Sequence, residues 1–167
     1  MASATFTLVG VVVVVVLVAL SAFFSSSETA IFTLPEAWFA DQDPEDPRVT
    51  VLRDLREDPH RLLVTILVGN NVVNVAIASI TTGLLLEYLP AGSAVTVATV
   101  LASFVVLVFG EIVPKSYGLG HAGEWALVVA GPLRAVERVL YPLVVVFDAL
   151  TRRLNALVGG DVHIEEP

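Results

Sequence analysis

The sequence predicts an all-α membrane protein, with three transmembrane helices plus juxtamembrane amphipathic helices forming a cytoplasmic belt. Three observations predict it. Of the 167 residues, 56% are hydrophobic, and the mean hydropathy is +0.82. The apolar residues fall in long uncharged runs, Met1 to Ser27, Leu62 to Leu86 and Tyr88 to Gly110. Each run can cross a hydrocarbon core of about 30 Å, which takes roughly 20 helical residues. Lastly, the nine basic residues are one-sided. Arg48, Arg53, Arg56 and Arg61 precede the second run, Lys115 ends the third, Arg134, Arg138, Arg152 and Arg153 follow, and the link Glu87 to Gly92 has none. By the positive-inside rule the amino terminus and that link face outward, and the rest of the non-membranous chain, including the carboxyl terminus, faces the cytoplasm of a cell-membrane protein.

The first span covers about residues 5–33. No Lys or Arg precedes Arg48, so the segment reads as a retained helix and not as a signal peptide. It is long for one straight pass and should tilt, kink or unwind near its serines. Asp46-Pro47 and Asp58-Pro59 each place a capping carboxylate before a proline suited to the first helical position. The first of these opens a short helix, about 47–57, that groups Val49, Leu52, Leu55 and Arg56 and would lie along the membrane surface. The second leads into the span at about 61–86, and the third span covers about 93–116. Beyond Tyr117 the apolar runs Trp125 to Ala130 and Val139 to Phe147 are too short to cross. Amphipathic belt helices over about 121–157, kinked at Pro132 and Pro142, account for them; a fourth span would bury Arg138 or Asp148. Trp38 and Trp125 are candidate interfacial anchors. Residues 1–158 thus form the membrane domain. Gly159-Gly160 begins a linker, 159–167, toward a cytoplasmic domain.

With no cysteine, disulfides, thiolate metal sites and thiol catalysis are excluded. The net charge of −8 comes mainly from Glu36 to Asp58 and the tail, and no basic patch with interleaved aromatics suggests nucleic acid.

Polar groups inside hydrocarbon cost several kcal/mol unless satisfied, so three polar clusters in the apolar runs mark a candidate internal site. In the first run Ser21, Ser25 and Glu28 share a helical face, with Ser27 adjacent. In the second, Asn70 and Asn74 are at i, i+4 and Asn71 and Asn74 at i, i+3, after Gly69, where another helix could approach. The third brings Glu111 and Pro114, whose missing N–H frees the Gly110 carbonyl beside that carboxylate. Asn70 lies nine residues beyond Arg61, about 14 Å along a helix, and Glu111 lies four before Lys115, so the clusters can share one level in the cytoplasmic half. Hydroxyls, amide oxygens, carboxylates and a backbone carbonyl suit Mg²⁺, Ca²⁺ or Mn²⁺ and suit Zn²⁺ or copper poorly. Na⁺ accepts the same oxygens. Each cluster also has a structural alternative: serines bonding back to their own helix, asparagines joining helices, and Glu111 pairing with Lys115 one turn on.

Phe24-Ser25-Ser26-Ser27-Glu28-Thr29-Ala30, Leu67-Val68-Gly69-Asn70-Asn71-Val72-Val73-Asn74 and Phe109-Gly110-Glu111-Ile112-Val113-Pro114-Lys115-Ser116 resemble, in order and spacing, the membrane domain of the CNNM/CorC family of magnesium transporters. Family members usually have glycine where Ser26 stands, a departure that removes no ligand. The resemblance implies a homodimer with three transmembrane helices per subunit and an inward-facing cavity holding one dehydrated Mg²⁺. It also implies Mg²⁺ export coupled to Na⁺ entry, and a following pair of cytoplasmic CBS modules that bind nucleotide. Family-like ligands map onto Ser21 or Ser25, Ser27, Asn70 or Asn74, Gly110 and Glu111. The alternative function is a membrane anchor and dimerisation scaffold for a cytoplasmic sensor. Intramembrane hydrolysis, and enzyme chemistry generally, is disfavoured because the serines have no base at matching depth.

Overall fold

The computed structural model describes residues 2–158, and the expected linker at 159–167 lies outside them. Among the described residues all regular structure is helical: α1 (Ala2–Thr33), α2 (Glu36–Ala40), α3 (Pro47–Arg56), α4 (Pro59–Leu85), α5 (Ala91–Val105), a π-helical segment (Val106–Ile112), α6 (Val113–Gly120) and α7 (Ala122–Val158). Three stretches are long and apolar enough to cross a membrane, Ala4–Thr33, Pro59–Leu85 and Ala91–Gly120, the last combining α5, the π segment and α6. The outward faces of α1 and α5 carry exposed Leu8, Val12, Val16, Val100 and Phe104, side chains that suit lipid.

The two Asp-Pro pairs start helices. Asp46 Oδ1 accepts from the Arg48 backbone N–H at 2.8 Å, and Asp58 Oδ1 accepts from Arg61 N–H at 3.0 Å. Each aspartate satisfies a donor that has no intrahelical partner, while Pro47 and Pro59 have none to satisfy.

α1 packs against α4, the π segment, α6 and α7, and so lies at the centre of the molecule. Its second half is the buried one: Ser21, Phe24, Ser25, Ser27, Ala30 and Ile31 are all nearly inaccessible. Of the tilt, kink or unwinding expected near the serines, the unwinding does not occur. Ser26 donates to the Ala22 carbonyl at 2.7 Å, Ser27 to Phe23 at 2.6 Å and Thr29 to Ser25 at 3.2 Å. The hydroxyls thus bond within the helix, which stays regular through Thr33.

The belt expected over about 121–157 is one helix, α7, beginning at Ala122 with Pro132 and Pro142 inside it. Both prolines are exposed, whereas Ala126, Ala130, Leu133, Glu137 and Val144 form a buried stripe that continues past Pro132. Tertiary burial of that stripe outweighs the loss of two helical hydrogen bonds. The apolar face of α3, with Val49, Leu52 and Leu55 buried, is covered by α7. Trp38 and Trp125 pack against the core, with the Trp38 indole nitrogen 2.8 Å from where a Cβ on Gly123 would stand.

Candidate intramembrane cation site

The second half of α1 can lie close to its neighbours because small residues face it. A Cβ on Gly69 of α4 would fall 2.6 Å from the Phe24 ring. A Cβ on Gly118 of α6 would collide with the Ser26 backbone carbonyl, and a Cβ on Gly110 would stand 2.7 Å from Ser21 Oγ. Three glycines on two other spans therefore set the approach to one polar stretch of α1.

Ser21 is the hub. Its fully buried Oγ is 3.0 Å from Asn70 Oδ1 and 2.8 Å from Asn74 Oδ1. Asn74 extends the chain, its Nδ2 donating to Glu111 Oε1 at 3.5 Å, longer than an ordinary N–H···O bond. That contact orients the amide, because a carboxylate takes the nitrogen side and leaves the oxygen for Ser21. A hydroxyl has one hydrogen, so it cannot fully satisfy two amide oxygens at once. Three oxygens from α1 and α4 consequently crowd together next to a carboxylate, an arrangement that a cation would relieve.

The carboxylate comes from an irregular backbone. Val106–Ile112 is π-helical, with Val113 N–H donating to the Val108 carbonyl. Pro114, buried at the start of α6, has no N–H for the Gly110 carbonyl in α register or for the Phe109 carbonyl in π register. Gly110 is buried and Glu111 half-buried. π segments of this kind are frequent at functional sites. Sequence reasoning found the proline but missed the π segment, for which Pro114 behind Gly110-Glu111 was the available signal.

The other candidates divide. Ser25 Oγ is buried with no partner, one turn along α1 from Ser21. Ser27 turns back on its own helix, as does Asn71, which donates to the Leu67 carbonyl at 2.8 Å from an exposed position. Glu28 pairs with Lys115 at 3.3 Å, so the Lys115 pairing weighed for Glu111 goes to α1 instead. Among the described residues, no cluster of three or more His, Asp or Glu could hold a metal, and any cation here would rest on hydroxyl, amide and carbonyl oxygens with one carboxylate.

The comparisons with known proteins settle the lineage. A model described as the cyclin M transmembrane N-terminal domain, CNNM, matches residues 12–167. The chain belongs to the CNNM family. Its relatives include a UPF0053 protein of Haemophilus influenzae, 32% identical over 93% of this chain and 37% of that protein. The Escherichia coli inner membrane protein YfjD is 34% identical over 84% of this chain and 33% of its own length. A chloroplastic DUF21 domain-containing protein of Arabidopsis thaliana is 34% identical over 88% of this chain and 22% of its own. The CNNM domain described here therefore spans between about a fifth and two fifths of the curated relatives it matches.

Proposed function

We propose that this CNNM domain is the ion-carrying part of a magnesium transporter, and that Mg²⁺ sits, stripped of most of its water, among Ser21 Oγ, the Asn70 and Asn74 amide oxygens, Glu111 and the Gly110 carbonyl. The observation that carries the reading is the meeting of Ser21, Asn70 and Asn74 within 3.0 Å, with Glu111 bonded to Asn74. Oxygen ligands and a single carboxylate suit a hard divalent cation, and Mg²⁺ requires near-octahedral geometry at about 2.1 Å. Ser25, buried without a partner, is a further oxygen for the inner end of the site.

Polarity is distributed unevenly on the two sides of the site. From the site toward the carboxyl end of α1 the chain offers Ser25, Glu28 and Lys115, and beyond them Arg61 and Arg134. In the opposite direction lies a cavity of about 180 Å³ lined by Thr81 and aliphatic side chains such as Val11, Val14, Ile77, Leu84 and Val105. An ion thus meets charged side chains on the arginine-rich side, which is the cytoplasmic side by the positive-inside rule. In this proposal the whole protein is a homodimer whose subunits export Mg²⁺ with Na⁺ entry as the driving process, under the control of a cytoplasmic CBS pair.

The test is Mg²⁺ transport by the full-length protein in liposomes. Glu111→Gln and Asn70→Ala should each lower transport at least tenfold while leaving the helical circular dichroism intact. Transport unchanged in both variants sinks this assignment of the site. The second reading, an anchor and dimerisation scaffold, is favoured by the inward bonding of Ser26, Ser27, Thr29 and Asn71. It predicts that Glu111→Gln and Asn70→Ala alter thermal stability and no ion movement, and that Mg²⁺ gives no concentration-dependent stabilisation.

A further inference from the structure

Glu111 and Lys115 stand four residues apart, with the glutamate on the amino-terminal side. That is the favourable order for a helical ion pair. An ammonium settled on Glu111 would neutralise the carboxylate that the proposed site needs and would place a positive charge where the cation must bind. The structure shows a different pairing. Lys115 Nζ is 3.3 Å from Glu28 Oε2 on α1, and the polar contact of Glu111 is the Asn74 amide. Glu28 is half-buried, one helical turn beyond Ser25 and two beyond Ser21. It therefore lies on the same side of the site as Lys115.

We propose that Glu28 is a decoy carboxylate: it holds the Lys115 ammonium away from Glu111 and thereby keeps the intramembrane site open to a divalent cation. The inference rests on the cation-site reading above. Glu28 is on this account a positioning residue that acts through Lys115 and need not touch the ion. The balance between the two carboxylates is set by the spacing of α1 and α6, which the contact of Gly118 with the Ser26 carbonyl holds close.

The experiment is a Mg²⁺ titration of the full-length protein, following the rise in thermal midpoint with Mg²⁺, with the metal alone as probe. Glu28→Gln should weaken Mg²⁺ binding by about tenfold or more, the scale expected for moving a unit charge to within a few Å of a partly buried site. Lys115→Met in the Glu28→Gln background should restore it, and Glu28→Asp should behave as wild type. Lys115→Met alone should bind Mg²⁺ at least as tightly as wild type, and this arm stands even if Glu28→Gln fails to fold. Weaker binding in Lys115→Met, unchanged binding in Glu28→Gln, or no restoration in the double variant overturns the decoy role while leaving the cation site standing. A wild-type protein with no Mg²⁺ response overturns both.

Discussion

Ser21 shows how much one hydroxyl can organise. It is fully buried, it contacts two asparagines 49 and 53 residues away, and Gly110 presses against it from the third span. Ser21→Ala removes the hub and leaves two amide oxygens facing each other. It should cost about 1–3 kcal/mol of stability, the penalty for orphaning buried polar groups, and should abolish Mg²⁺-dependent stabilisation; thermal melts with and without Mg²⁺ measure both. Gly110→Ala inserts a methyl 2.7 Å from Ser21 Oγ. The backbone there is irregular but right-handed at both flanks, so the damage is steric. Overpacking of this kind costs about 1–3 kcal/mol, and the displaced Ser21 should lower Mg²⁺ affinity more than Ser21→Thr does.

At the scale of elements, the short α3 and the long α7 behave oppositely. The start of α3 was legible because capping is local: the Arg48 side chain, then its backbone N–H, bonds the Asp46 carboxylate and holds it below its ordinary value near 3.8. A lowered folded pKa means the cap contributes stability above the ordinary value and loses it as the pH falls through the folded one. Asp46→Asn should therefore remove an acid-dependent component from the unfolding of α3, seen as a flatter pH profile below pH 4 in amide-exchange protection. In α7 local rules stop short, since two prolines inside 37 residues argue for kinks and do not say whether one helix runs through them. The buried stripe from Ala126 to Val144 carries it through, and that stripe has meaning only once α3 and α4 lie beneath it.

Across the whole molecule, the polar clasp on the arginine-rich side ties α3, α4 and α7 together. Glu137 is buried and pairs with Arg61 at 2.9 Å and Arg134 at 2.8 Å, while Arg134 reaches Asp54 at 4.0 Å. Arg61 also lies over the Tyr141 ring, 5.0 Å from its centroid. Removing the buried carboxylate leaves two arginines that water can still reach, so Glu137→Ala should cost about 1–3 kcal/mol and lower the thermal midpoint. Glu137→Met, together with Arg61→Met, should recover much of that loss. On the opposite side Thr7 and Tyr88 share a 2.7 Å hydrogen bond that joins α1 to the link between the second and third spans. Its removal in Tyr88→Phe should shift the midpoint far less, because the pair is exposed.

The sequence by itself determined the fold class, because the length and polarity of a membrane-spanning helix are dictated by the bilayer and are written locally. It also singled out Ser21, Asn70, Asn74, Gly110 and Glu111 as polar groups in apolar surroundings, since the cost of burying them is a property of each residue. Only the tertiary structure decided which of them meet. Helical spacing puts Ser25 on the same face as Ser21, and the family resemblance added Ser27, yet Ser27 bonds to Phe23 while Ser21 faces both asparagines. Which carboxylate Lys115 would take was likewise beyond the sequence. Glu111 is its neighbour along the helix, but Glu28 is its partner across the α1–α6 contact, and that choice depends on how close Gly118 lets the two helices come.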